Sequence, residues 1–147
     1  MNITFKQVID YCQARQINLS PQQELILMII SQATIPLSSH EILTSLLEHN
    51  PRANRMTIHR ALEFLIDVEL IHKIAFNHTY KLCAHLYCKH DHHCQILICQ
   101  KCGNQTEIHN PQVTGALLEI SKTHNFKLAN PVEITGSCAK CQTEEIL

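Results

Sequence analysis

Tryptophan is absent from these 147 residues, glycine occurs three times and proline five times. So few chain breakers exclude a long low-complexity or disordered tract. A chain of this length that is 45% hydrophobic buries a core, as one large domain or two small ones. An excess of charge is missing too: twelve Lys and Arg against thirteen Asp and Glu leave a formal net charge of -1. No basic field surrounds the whole molecule, so any contact with nucleic acid must rest on a local patch. Apolar runs of membrane-spanning length are lacking, and Met1 to Lys6 has no basic-then-apolar layout of an export signal. The expectation is a cytoplasmic protein with no membrane partner.

Against these scarcities stand eight Cys and eleven His. In a reducing cytosol so many thiols point to metal ligation or redox chemistry, not to a disulfide framework. Their distribution is uneven: Cys12 stands alone before Leu82, and seven follow from Cys83 onward. We read a metal-poor domain over residues 1–82 and a metal-binding domain over residues 83–147.

The first part reads as helical. Ser20-Pro21-Gln22-Gln23 and Ser38-Ser39-His40-Glu41 are capping boxes ahead of apolar residues at helical spacing. Thr57 is read as the cap of a third helix carrying Ala61, Leu62, Leu65 and Ile66. Leu70 to Ile74 and Thr79 to Leu82 read as strands around an Asn77-His78 turn. Three helices followed by a hairpin is the order of a winged helix-turn-helix. The second part reads as mixed: a strand at Ile96 to Ile98, a helix capped by Asn110-Pro111, and strands at Phe126 to Leu128 and Val132 to Ile134. The expected fold class is α+β, a winged helix-turn-helix domain followed by a small α/β domain.

Arg52, Arg55 and Arg60 lie between Asn50 and Leu62 with no acidic residue among them. A guanidinium contacts phosphate or pairs bidentately with guanine, although the same residues also suit a solvated helix face. Glu63, Asp67 and Glu69 confine any DNA contact to the first turns of that helix. The candidate contacts are Arg52, Arg55, Thr57, His59 and Arg60.

Cys99-Gln100-Lys101-Cys102 and Cys138-Ala139-Lys140-Cys141 are two CxxC pairs, each beside an expected strand. Each pair chelates two tetrahedral positions through a tight turn, and together they close a four-thiolate site. The competing reading is a redox dithiol, which usually occurs once, in a βα unit. Cys83 to Cys94 packs Cys83, Cys88, His90, His92 and Cys94 into one short loop. Such density suits metal capture, and His72 and Glu107 are placed to join it. A thiolate in that set favours zinc or copper(I) over ferrous iron.

Several stretches resemble the ferric uptake regulator family over nearly the whole chain. They are Leu19-Ser20-Pro21-Gln22, Thr57-Ile58-His59-Arg60-Ala61-Leu62, Leu97-Ile98-Cys99-Gln100-Lys101-Cys102-Gly103 and Cys138-Ala139-Lys140-Cys141. Arg60 to Leu65, Leu70-Ile71-His72-Lys73 and Cys83 are most similar to its zinc uptake regulator branch. The resemblance implies Cys99, Cys102, Cys138 and Cys141 as structural zinc ligands, and His72, Cys83, His92 and Glu107 as regulatory ones. Cys88, His90 and Cys94 are alternative regulatory ligands. It further implies two zinc ions per chain and a homodimer held through the second domain. By the same resemblance Arg60 reads purines, and the zinc-loaded dimer binds operator DNA and represses zinc-uptake genes.

Two departures stand out: His59 replaces the usual tyrosine, and Cys94-Gln95-Ile96-Leu97-Ile98 replaces the His and Asp pattern of iron-type members. The expectation is a regulator with no small-molecule substrate and no catalytic residues. The alternatives are an iron- or peroxide-responsive member, a zinc-dependent hydrolase and a zinc-ribbon interaction module. The hydrolase lacks an HExxH.

Overall fold

Each of the first four helices starts on a reciprocal cap, in which a side chain and a backbone N–H at each end of a three-residue step bond to each other. Thr4 with Gln7 opens α1 (Phe5–Ala14), and Ser20 with Gln23 opens α2 (Pro21–Gln32). Ser38 with Glu41 opens α3 (Ser39–Leu47), and Asn54 with Thr57 opens α4 (Arg55–Asp67). Each box satisfies two backbone donors that would otherwise have no helical partner. Two corrections follow. Thr57 is not the cap of α4, because Asn54 accepts from its N–H at 3.1 Å and makes it the third helical residue. The sequence reading also missed α1, although Thr4 and Gln7 carry the same signal as Ser20 and Gln23.

The computed structural model describes residues 3–84, 86, 94–128 and 131–143. The chain divides into two compact units, Met1–Lys89 and His90–Leu147.

In the first unit the helices converge on Val8, Ile26, Leu27, Ile42, Leu46, Ile58 and Leu65, all at most 1% exposed. A small antiparallel sheet in the order β1-β3-β2 follows the helices: β1 (Leu37–Ser38), β2 (Ile71–Ile74) and β3 (Thr79–Leu82). The β2–β3 register runs from Ile71↔Leu82 to Ile74↔Thr79, which makes the expected wing. Cys83 and Leu86 belong to this unit's core. Leu65 is fully buried beneath the exposed side of α4. Leu65→Ala is therefore expected to lower the unit's stability by roughly 2–5 kcal/mol, the cost of a buried Leu truncation and its cavity. Urea unfolding followed by far-UV circular dichroism checks this; a loss under about 1 kcal/mol would mean that the site collapses around the missing side chain.

The shortage of glycine shows in how helices end. α1 and α4 terminate on Gln16 (φ 57) and Glu69 (φ 63), left-handed positions that glycine usually takes. The following N–H groups reach back five residues, Ile17 to Cys12 at 2.9 Å and Leu70 to Leu65 at 3.0 Å. The second of these turns delivers the chain from α4 straight into β2.

The second unit is built on the sheet β5-β4-β6, with β4 (Gln95–Cys99), β5 (Gln105–Ile108) and β6 (Val132–Gly136). β4 pairs antiparallel with β5 and parallel with β6. α5 (Pro111–Thr123) makes the crossover, and α6 (Ala139–Thr143) follows β6. Buried Gln95 ties the parts together, donating to Thr114 Oγ1 at 3.1 Å and accepting from Asn110 N–H at 3.0 Å.

The sequence reading did not foresee β5, and the strand expected at Phe126 to Leu128 is absent. Asn125 (φ 48) ends α5, and the Phe126 N–H bonds back to Ser121 at 2.8 Å, so the segment is spent on stopping the helix.

Candidate functional site

Cys99 is the last residue of β4, and the chain turns at once through Gly103, whose φ of +76 suits glycine. Gly103 N–H donates to the Cys99 carbonyl and Cys99 N–H to that of Asn104, both at 2.9 Å. This knuckle holds Cys102 beside Cys99. The parallel pairing Cys99↔Gly136 brings the end of β6 alongside, and Gln100 N–H donates to the Gly136 carbonyl at 2.9 Å. Cys138 therefore emerges next to the knuckle, with Cys141 one turn later on α6.

The four sulfurs lie within 4.8 Å of one another. Cys102 and Cys138 are 3.7 Å apart, far beyond a disulfide bond. Ligands at about 2.3 Å in a tetrahedron around zinc stand roughly 3.8 Å from each other, so the spacing fits the ion.

The electrostatics agree. The N–H groups of Cys102 and Cys138 hold the Cys99 thiol down to about 6, the second donating to its sulfur at 3.3 Å. Cys102 and Cys141 respond the other way. Cys141 is pushed up to about 12, first by Cys138 and then by burial. Four crowded thiols cannot all ionise unaided, and a bound dication removes that conflict. The cluster suits a closed structural zinc site and leaves no ligand position for substrate.

A second pair of donors belongs to the first unit. His72 lies on β2, and Cys83 follows β3 with its N–H donating to the Leu70 carbonyl at 3.0 Å. The register makes His72 and Cys83 diagonal neighbours on one face of the hairpin. Their ligand atoms lie within 4.8 Å of each other, and both residues are buried. Glu107 is half-buried on β5, opposite Ile96 of β4. Cys94 is fully buried just before β4. His92, Cys88 and His90 lie outside the described residues.

α4 buries Ile58, Ala61, Leu62 and Leu65, so Arg55, Met56, His59, Arg60 and Glu63 line its exposed side. Arg52 is exposed in the turn ahead of the helix, where its N–H donates to Asn50 Oδ1 at 3.1 Å. Thr57 is half-buried and its hydroxyl bonds with Asn54 in the cap. A groove of about 390 Å³ runs beside this face, bordered by Ser39, His40 and Tyr80 as well as Arg55, Met56 and His59. The sequence reading missed Ser39, His40 and Tyr80 as neighbours of this face. It also missed Glu63 as a partner of His59, to which it sits 3.1 Å away. The spacing of four residues was the available signal. Among the described residues no helix is long and apolar enough to cross a membrane.

The ferric uptake regulator family model matches residues 14–134. The zinc uptake regulation protein of Escherichia coli K12 is 31% identical over 131 residues, spanning 88% of this chain and 76% of that protein. A ferric uptake regulation protein of Neisseria meningitidis is 27% identical over 125 residues, spanning 84% of this chain and 85% of its own. Among solved structures, a zinc uptake regulator complexed with zinc and DNA superposes with a TM-score of 0.81 at 28% identity. It covers 97% of this chain and 95% of that one.

Proposed function

This chain belongs to the ferric uptake regulator family, and we propose that it is a zinc-responsive transcriptional repressor whose zinc-loaded homodimer binds operator DNA and represses zinc-uptake genes. The observation that carries this reading is the outward face of α4, which presents Arg55, His59 and Arg60 in a chain whose fold matches a zinc- and DNA-bound relative. It is a transcription regulator, not an enzyme, and it works in the cytoplasm where its DNA is.

Two zinc ions per chain are assigned. Cys99, Cys102, Cys138 and Cys141 hold the structural ion, which contributes folding free energy. His72, Cys83, His92 and Glu107 are proposed to hold the regulatory ion, with Cys88, His90 and Cys94 as alternative ligands. The proximity of His72 to Cys83 supports that set. A thiolate among imidazole and carboxylate favours zinc over ferrous iron, against an iron-responsive role. The DNA-binding part is proposed as residues 1–82 and the metal-binding, dimerising part as 83–147, although the first compact unit runs on to Lys89 with Cys83 and Leu86 in its core. Leu97, Val113, Leu118, Ile120 and Ile134 are 37–56% exposed in the second unit, an apolar surface that a second copy would cover.

Arg60→Ala is expected to weaken operator binding and relax base discrimination by roughly 1–3 kcal/mol, the worth of one bidentate contact. Zinc content and dimerisation are expected to stay unchanged. Operator binding titrated against buffered free zinc tests both the residue and the function. Unchanged affinity in the variant places the reading residue elsewhere. If the unmutated protein binds DNA equally well with and without zinc, the proposed function fails.

A further inference from the structure

Contact with phosphate does not explain every group on the exposed side of α4. Met56, His59, Arg60 and Glu63 recur at helical spacing, opposite the buried Ile58, Ala61, Leu62 and Leu65. Arg60 suits a polyanion and Glu63 repels one. The Glu63 carboxylate lies 3.1 Å from Nε2 of His59, with the two side chains 62% and 64% exposed. A pair so exposed adds little to stability, so its consequence lies in the imidazole itself.

An ionised carboxylate has no proton to give, so the bond requires Nε2–H to donate to Glu63. In the neutral ring Nδ1 is then an acceptor. We propose that Glu63 is a specificity-determining partner of His59. It holds the neutral ring in the Nε2–H tautomer, so that His59 in that form offers an acceptor to the major groove and selects an amino base, adenine or cytosine, on the contacted strand. Adenine N6 and cytosine N4 donate there, whereas guanine and thymine present only O6, N7 and O4 acceptors. Without Glu63 the ring is free to present either a donor or an acceptor, and the preference between amino and keto bases is lost. The acidic residue costs some attraction to phosphate and gains base discrimination in exchange.

This inference rests on the DNA-binding reading of α4, and the test separates the two. Zinc-loaded full-length protein is used to select sequences from duplex DNA randomised across both half-sites. The unmutated protein is compared with Glu63→Ala, Glu63→Gln and His59→Ala. The expected result is one position per half-site where amino bases outnumber keto bases roughly fivefold, the worth of a single hydrogen bond. That ratio is expected to fall towards one in Glu63→Ala and in His59→Ala. It is expected to fall only part of the way in Glu63→Gln, whose amide can accept from Nε2–H or donate to Nε2 and so no longer fixes the tautomer. If Glu63→Ala and Glu63→Gln both tighten binding to all sequences alike and leave the base ratio untouched, Glu63 acts only as a charge and the proposal is overturned. It is equally overturned if the ratio survives in His59→Ala. Absence of any zinc-dependent selection by the unmutated protein would instead remove the DNA-binding reading on which the inference stands.

Discussion

Cys99→Ser is expected to yield protein that retains no structural zinc and whose second unit is unfolded or monomeric. Cys99 stands where three constraints meet. It ends β4, it pairs with Gly136 at the end of β6, and its sulfur accepts the Cys138 N–H at 3.3 Å. Serine keeps the shape but removes the thiolate most readily formed, the one held down to about 6 by neighbouring N–H groups. Structural zinc contributes on the order of 10–16 kcal/mol in small zinc domains, as much as the whole stability of a typical domain. A unit this small has no core large enough to make up the loss. Metal analysis together with sedimentation and circular dichroism reads the outcome. A folded dimer that still carries one tightly held zinc per chain would show that the four-cysteine cluster is not what organises the unit.

The second large effect concerns the switch. Cys83→Ser is expected to leave a folded dimer with its structural zinc, yet to lose DNA binding at zinc levels that saturate the unmutated protein. Cys83 is fully buried beside His72, and its backbone is anchored to Leu70, so the hydroxyl would occupy the same place. What changes is ligand chemistry, since a neutral hydroxyl replaces the softest donor of the set. The shift in free zinc required is expected to exceed the roughly 10–100-fold that loss of an outer-shell partner costs.

In the proposed mechanism one ion is held by His72, Cys83, His92 and Glu107. Binding would favour the state in which two recognition helices of a dimer match successive half-sites. Zinc can favour that geometry only by its differential affinity for it. Cys88, His90 or Cys94 substituting for Cys83 is the competing result. DNA-binding curves against buffered zinc that superimpose for variant and unmutated protein would require rebuilding the site around Cys88 and Cys94.

Local chemistry explains what could be read along the chain. Ser20 with Gln23 and Ser38 with Glu41 act across three residues, and Asn77-His78 closes its own hairpin, so neighbours in sequence decide them. Each CxxC likewise acts through a single turn, so the proposed ligands of the structural zinc are legible from their spacing alone. β5 was not legible: Gln105, Thr106 and Glu107 are polar, and the strand exists because β4 supplies its pairing partners. The α4 cap was misplaced by three residues because Asn54 and Thr57 share one reciprocal box, and sequence does not say which end begins the helix.

By itself, then, the sequence determined the ligand types, the winged-helix order and the patch of arginines, since each depends on residues within a turn or two. Only the tertiary structure decided which candidate ligands meet. The 3.7 Å between Cys102 and Cys138 comes from β6 pairing parallel to β4, although the two cysteines are 36 residues apart in the chain. The His72–Cys83 neighbourhood comes from hairpin register, where a slip of one residue would turn the imidazole to the opposite face. Which side of α4 faces outward, with His59 against Glu63, was settled by the burial of Ile58, Leu62 and Leu65 in a core that four helices build together.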